Sequence, residues 1–283
     1  MNNIMNIPHH ILTPLIENAI NEDIGSFGDL TSVSFQNSGK RLTASITTNQ
    51  DGVISGLICA EMVFNKIDAT LNFKSQVKDA DFVKSGTEIA TIQGNAYSIL
   101  AGERTALNFL GHMSGISSET YKLVQMISDT KALILSTRKT TPGLRALEKY
   151  AVKCGGGHNH RFGLDYGILI KDNHIKAAGS ITKAVELIQD NKPYLTEVEV
   201  EVDTVEQFME CQELGIKYIL LDNMSPEQIE ECIKNNKNNS VLEASGGINS
   251  NTIQGIARTG VDYISIGRLT HSSPSLDLSL HIK

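Results

Sequence analysis

Between Ser136 and His174 the chain reads STRKTTPGLRALEKYAVKCGGGHNHRFGLDYGILIKDNH. The stretch gathers Arg138, Lys139, Arg145, Lys153, His158, His160, Arg161, Lys171 and His174 in a protein that is acidic overall, with 25 Lys and Arg against 32 Asp and Glu. A guanidinium offers a planar fork to carboxylate or phosphate oxygens, and an ammonium offers a compact charge. Arg138, Lys139, Arg161 and Lys171 stand just beyond short apolar runs, where strand ends would aim them at a shared polar mouth. Taken singly, each is as readily a solvated surface charge. Taken together they ask for a polyanion. His160, adjacent to Arg161, could donate to the same oxygens or be an ordinary part-buried histidine.

Two acids occupy the corresponding place on later apolar runs: Glu201 closes EVEVE (197–201) and Asp222 closes YILLD (218–222). In an extended run alternate side chains face opposite sides, which sets Glu197, Glu199 and Glu201 against Val198 and Val200. Acids turned into an interior are costly unless they pair with Lys or Arg or bind a cation. Two hard oxygen ligands opposite a basic cluster suit Mg²⁺ bridging phosphates. Internal salt bridges to Lys139 and Lys171 would satisfy the same acids without a protein-bound metal, and the two arrangements are compatible.

Further on, EASGGIN (243–249) gives a strand, the turn Ser245-Gly246-Gly247 and a helix from near Asn251, while YISIG (263–267) ends at Gly267. Glycines let backbone N–H groups approach an anion, and late barrel strands are where a phosphate site is expected. A Gly-Gly pair by itself is more often only a turn.

Other chemistries are excluded or disfavoured. The GGGHNH run lacks the surroundings of a P-loop or dinucleotide fingerprint, and GxSxG, HExxH and EF-hand patterns are absent. The four cysteines, Cys59, Cys154, Cys211 and Cys232, form no CxxC pair, so neither a zinc knuckle nor a disulfide scaffold is indicated. Cys154 is expected as a small buried hydrophobe rather than a nucleophile. A net charge of −7, 5% aromatics and no Trp argue against a nucleic-acid surface. MNNIMNIPHH lacks the pattern of a secretion signal, and no run approaches the roughly 20 apolar residues of a membrane helix, so a cytoplasmic protein without membrane partners is expected.

The elements that must hold these residues change character near residue 105. Before it, LTASITT (42–48), GVISGLI (52–58), ATLNFKS (69–75) and EIATIQG (88–94) suggest strands between turns, after a helical lead-in from Pro14 to about Asn21. The run from Gly102 to Thr120 spaces Ala106, Phe109, Leu110 and Met113 as a helix. Beyond it, ALILST (132–137), GILIK (167–171), EVEVE, YILLD, VLEAS (241–245) and YISIG alternate with helices over 180–190, 204–215, 225–236 and 251–260, the rhythm of βα units and a parallel sheet. Polar groups at every strand end favour a barrel mouth over the single crevice of an open sheet. Only six strands are clear, so the barrel is incomplete or a strand lies hidden in 138–166 or the C-terminal tail.

AGERTALNFLGHMSGI, STRKTTPGLRALEKYAVKCGGGHNHRFGL, LIKDNHI, EVEVE, LDNM, EASGGIN and ISIGRLTHS together resemble quinolinate phosphoribosyltransferase, also called nicotinate-nucleotide pyrophosphorylase (carboxylating). NEDIGSFGDLTS (21–32) is similar to that family's opening signature, and the resemblance spans essentially the whole chain. It implies an α/β fold: an N-terminal α/β sandwich domain over 1–105, with the tail from about 274 to 283 packing back on it, and an incomplete, open α/β barrel of the type II phosphoribosyltransferases over 106–273. The implied reaction joins quinolinate to phosphoribosyl pyrophosphate, releasing pyrophosphate and CO₂ and leaving nicotinate mononucleotide for NAD synthesis. Mg²⁺ and a homodimer with shared active sites, or a hexamer built from it, are implied with it.

Carried onto this sequence, the resemblance makes Arg104 the arginine given across the dimer to the quinolinate carboxylates. Arg138, His160, Arg161 and Lys171 form the pocket within the subunit, with Lys139 and Lys171 reaching the shared anionic site of phosphoribosyl pyrophosphate. Glu201 and Asp222 lie by the ribose and the Mg²⁺-pyrophosphate, and Ser245, Gly246, Gly247 and Gly267 cradle the 5′-phosphate. Two positions depart from the family. Asp165 precedes Tyr166 where the family places its acid one position later, and Arg268 follows Gly267 where a small residue is usual. Arg268 would either strengthen phosphate binding or point outward. Competing readings are a nicotinate or nicotinamide phosphoribosyltransferase, a related protein of uncertain substrate found beside metal-transport genes, and a non-catalytic nucleotide or metabolite binder of the same fold. Four to five cations around the base site favour the diacid.

Overall fold

In a computed structural model, residues 7–36 and 38–283 are described, and they fold as two compact units. The first takes the described residues up to Tyr121 together with Thr140–Gly156 and Arg268–Lys283; the second takes Lys122–Lys139 and Gly157–Gly267.

The first unit is built on an antiparallel sheet ordered Leu278–Ile282, Arg41–Thr48, Glu88–Asn95, Asn72–Ser75. The C-terminal strand lies beside the first one, with Ile46 opposite Leu280 on one side and Ala90 on the other. Helices His9–Ile24, Leu57–Ile67 and the greater part of Ala96–Met126 add Leu12, Ile16, Phe64, Ile99 and Leu110 to a core that already holds Ile46, Ile89 and Ile92. GVISGLI, expected as a strand, is one only at Gly52–Val53, which pairs with Phe82–Val83. Gly56 (φ 99°) turns the chain there, and the Asp79 carboxylate accepts the N–H groups of Gly56 and Leu57, both at 3.1 Å, so that a helix begins at Leu57. A distant cap outweighs the local β propensity.

The second unit is a parallel sheet of seven strands in the order His158–Asn159, Leu133–Ser136, Tyr263–Ser265, Val241–Ser245, Tyr218–Asp222, Val198–Val202, Ile168–Ile170. Its two end strands do not pair with each other, so the barrel is open. The two-residue strand His158–Asn159 is the one hidden in 138–166, while the strand in the C-terminal tail belongs to the other sheet. Helices Ile181–Gln189, Val205–Glu213 and Pro226–Lys234 return the chain between strands. Each begins at a hydroxyl cap, Ser180, Thr204 or Ser225, and Ser225 forms a full capping box with Gln228. Ile219, Leu220 and Leu221 are all buried because both faces of the sheet are covered. Among the described residues no helix is long and apolar enough to cross a membrane.

Candidate active site

All seven strands run the same way, so the residues that follow them gather at one end of the sheet. Arg138 and Lys139 follow Leu133–Ser136, His160 and Arg161 follow His158–Asn159, Lys171 follows Ile168–Ile170, and Gly267 follows Tyr263–Ser265. Register fixes the acids: Leu220 lies opposite both Glu201 and Glu243, and Asp222 lies opposite Ser245.

Along Val198–Val202 the valines are buried and the glutamates half-buried, as the alternation of EVEVE requires. Each acid of that face has a cation or ring partner. Glu197, exposed, meets Lys217 at 2.9 Å; Glu199 meets His160 Nε2 at 2.8 Å; Glu201 meets Lys171 Nζ at 2.5 Å. Lys171 is also fixed through its backbone. It stands at the start of the helix Asp172–Ala178, and its N–H donates to His174 Nδ1 at 2.9 Å, which gives IKDNH a local structural reason.

Arg161 Nη1 donates to the Gly167 carbonyl at 2.9 Å. Burial and the like charge of Arg138 lower the pKa of its guanidinium, and Glu199 offsets part of this; an arginine remains charged throughout. Arg138 and Arg161 thus act on the same space. For His160, burial opposes protonation, but the Glu199 hydrogen bond and the charges of Glu243 and Glu199 outweigh it and raise the pKa.

Glu243 is the acid that motif reading passed over. It is 4% exposed, its Oε2 lies 3.7 Å from His160 Nε2, and its Oε1 makes no hydrogen bond. Burial first, then the charge of Glu199, push its pKa up to about 7 against the pull of His160, the neighbouring Ser265 hydroxyl and Lys171. A signal for it was present: Glu243 stands two residues before Ser245, hence on the same strand face. The ligand atoms of His160, Glu199 and Glu243 lie within 4.8 Å of one another. They are held by hydrogen bonding rather than set for a metal. His160 Nδ1 accepts the Arg161 N–H at 2.7 Å and Nε2 is engaged by Glu199 at 2.8 Å, so both ring nitrogens already have partners.

After the central strand Val241–Ser245, Gly246 (φ 95°) and Gly247 (φ 61°) are both left-handed. Asn223, itself at φ 55°, donates its N–H to the Ser245 carbonyl at 2.9 Å, and a Cβ on Gly246 would meet that nitrogen at 2.7 Å. Around Gly247 nothing lies within 4 Å of where a Cβ would be, so the backbone there is open to a ligand. Glu201 and Asp222 stand on neighbouring strands and share a face, as the register places Leu220 opposite Glu201. Glu201 uses one oxygen on Lys171, and Asp222 uses one on Asn223 Nδ2 at 2.7 Å. The second oxygen of each has no hydrogen bond among the described residues, a donor set that fits a hard divalent cation.

Arg104 belongs to the first unit and is exposed on the helix Ala96–Met126. Lys139 is exposed, and its backbone N–H donates to Thr137 Oγ1 at 3.1 Å. Arg268 pairs with Glu119 at 3.6 Å. Asp165 is exposed and folds over Gly163, where a Cβ would collide with its carboxylate. All four cysteines are free and buried, and burial first among causes pushes the Cys154 thiol up to about 12, which removes it as a nucleophile.

Two family descriptions match nearly end to end: quinolinate phosphoribosyl transferase, N-terminal domain, over residues 29–114, and C-terminal domain, over 116–281. A probable nicotinate-nucleotide pyrophosphorylase (carboxylating) of Bacillus subtilis is 41% identical over 274 residues, covering 97% of this chain and 94% of that one. A mitochondrial quinolinate phosphoribosyltransferase (decarboxylating) of Nicotiana glauca is 38% identical, covering 97% and 83%. The solved nicotinate-nucleotide pyrophosphorylase of Francisella tularensis superposes with a TM-score of 0.94 at 38% identity over 100% of both chains. Human nicotinic acid phosphoribosyltransferase shares the fold alone, with a TM-score of 0.60 at 10% identity over 89% of this chain and 72% of that one. The chain belongs to the quinolinate phosphoribosyltransferase family.

Proposed function

We infer that the protein is a decarboxylating quinolinate phosphoribosyltransferase, forming nicotinate mononucleotide, pyrophosphate and CO₂ from quinolinate and phosphoribosyl pyrophosphate on the route to NAD. The observation that carries this for the chain's own residues is one mouth holding Arg138, Arg161 and Lys171 beside Glu201 and Asp222. Several cations suit a diacid better than a monoacid or an amide. Acids beside them suit a reaction centre and have no use in a simple anion trap.

Arg138, His160, Arg161 and Lys171 form the quinolinate pocket, Arg104 of a second protomer completes it, and Lys139 with Lys171 meets the shared anionic groups. The pocket holds the pyridine nitrogen in line with ribose C1. The C1–oxygen bond to pyrophosphate breaks as the nitrogen–C1 bond forms, and the carboxylates of Glu201 and Asp222 stabilise the positive charge growing at C1. Glu201 and Asp222 would also hold Mg²⁺, which when bound neutralises the departing pyrophosphate. Ser245, Gly246, Gly247 and Gly267 receive the 5′-phosphate. Once alkylated, the ring accepts the electron pair of the breaking carbon–carboxylate bond; CO₂ leaves and a proton from the medium takes its place. The active form is a homodimer, able to assemble further, in the cytoplasm.

The test is to offer purified protein, with Mg²⁺ and phosphoribosyl pyrophosphate, quinolinate, nicotinate or nicotinamide in separate reactions. Mononucleotide from quinolinate alone is expected. Turnover of nicotinate in its place would overturn the substrate.

A further inference from the structure

Beneath the cationic mouth lies a buried acid without a hydrogen bond to one of its oxygens, joined through a histidine to a second acid. Glu243 sits on Val241–Ser245, Glu199 on Val198–Val202, and His160 Nε2 lies between them, 2.8 Å from Glu199 and 3.7 Å from Glu243. The His160 ring is held from both sides, Nε2 by Glu199 and Nδ1 by the Arg161 N–H. Both His160 and Glu243 favour a proton, and the buried Oε1 of Glu243, which makes no hydrogen bond, is the open place for one. Glu243 is faced by His160, Glu199, Lys171 and Ser265, with Tyr263 and Leu220 as its register neighbours; His160 in turn is faced by Arg161, and Arg161 by Arg138.

We propose that Glu243 is a positioning and charge-balancing residue: it carries one exchangeable proton under the base site, and a dianionic substrate is accepted when that proton is in place. The proposal rests on the diacid reading of the site. Its physical basis is charge. Deprotonated Glu243 adds a second buried negative charge behind Arg138, Arg161 and Lys171, weakening their hold on two carboxylates. It also competes with Glu199 for the Nε2–H that orients the ring. Protonated, it leaves the cations to the substrate. The group is held near neutral pH by burial and by Glu199, so the choice falls in the working range.

The experiment is the pH profile of kcat/KM for quinolinate, at saturating Mg²⁺ and phosphoribosyl pyrophosphate, in wild type, Glu243→Gln and Glu199→Gln. The ratio reports groups of the free enzyme and free substrates. Wild type should lose kcat/KM on the alkaline side, by about tenfold per pH unit beyond the transition, with the loss carried by KM. Glu243→Gln, which keeps the neutral shape, should lack that limb. Glu199→Gln removes a charge that raises the Glu243 pKa and should move the limb to lower pH. Titrations of the substrates are common to all three proteins and cancel in the comparison. An identical alkaline limb in wild type and Glu243→Gln overturns the proposal; should Glu243→Gln fail to fold, an unmoved limb in Glu199→Gln does so. Absence of quinolinate turnover in wild type would instead overturn the reading on which it rests.

Discussion

Lys171 Nζ, just past the strand Ile168–Ile170, and Glu201 Oε2, on the neighbouring strand, meet at 2.5 Å, the lysine 43% and the glutamate 14% exposed. The pair fixes a cation and an anion side by side at the mouth, one suited to a carboxylate and the other to a growing positive charge. Because each holds the other, their substitutions should not add. Lys171→Met and Glu201→Gln are each expected to lower kcat/KM by about 10²- to 10³-fold, the range for losing one group that stabilises charge in the transition state. The double variant should fall little further. Full additivity in a double-mutant cycle would show that the two act independently.

Arg104 lies in the first unit, exposed on its helix, with no task there that packing explains. If it serves a second protomer, Arg104→Ala should abolish quinolinate turnover while leaving the melting temperature and oligomeric state intact. Mixing it with Lys171→Met after reversible dissociation should then restore activity. Random pairing puts both lesions in one site of a heterodimer and none in the other, so about a quarter of all sites recover. No recovery in verified heterodimers would place Arg104 in its own subunit's site or outside the reaction.

Glu201 and Asp222 each keep one oxygen without a hydrogen bond among the described residues. Chelation of divalent cations should stop turnover, and Mg²⁺ should restore it. Asp222→Asn keeps the shape but removes a hard anionic ligand. It should raise the Mg²⁺ concentration for half-maximal rate at least about tenfold, roughly 1.4 kcal/mol of binding. An unchanged Mg²⁺ requirement would assign the acid to the ribose alone.

Gly246 combines a left-handed backbone with contact against Asn223. Gly246→Ala should therefore destabilise the fold by more than the roughly 1–2 kcal/mol of the backbone term, and it should raise KM for phosphoribosyl pyrophosphate. Gly247→Ala meets no neighbour and should show the backbone term only, with a KM effect where its N–H groups face phosphate. Equal melting temperatures for the two would remove the Asn223 contact as a constraint.

The parallel half of the fold was legible because its signals are local. YILLD spans the observed strand end to end, EVEVE shows its two faces in its letters, and Ser225-Pro226 announces a helix. GVISGLI misled because its second half is capped from Asp79, more than twenty residues away, and no local window contains that carboxylate. His158–Asn159 escaped notice because two residues cannot display a period. Within the site, the cations declared themselves by standing after apolar runs. Glu243 did not, since a buried acid inside VLEAS looks like an interruption of a strand until Glu199 and His160 are seen around it.

The central claim is tested most directly with quinolinate carrying an isotopic label in the carboxylate next to the ring nitrogen. Labelled CO₂ and pyrophosphate should appear in equal amounts, both dependent on phosphoribosyl pyrophosphate, with unlabelled nicotinate mononucleotide as the partner product. Pyrophosphate release without labelled CO₂, or a mononucleotide that keeps the label, would contradict the account.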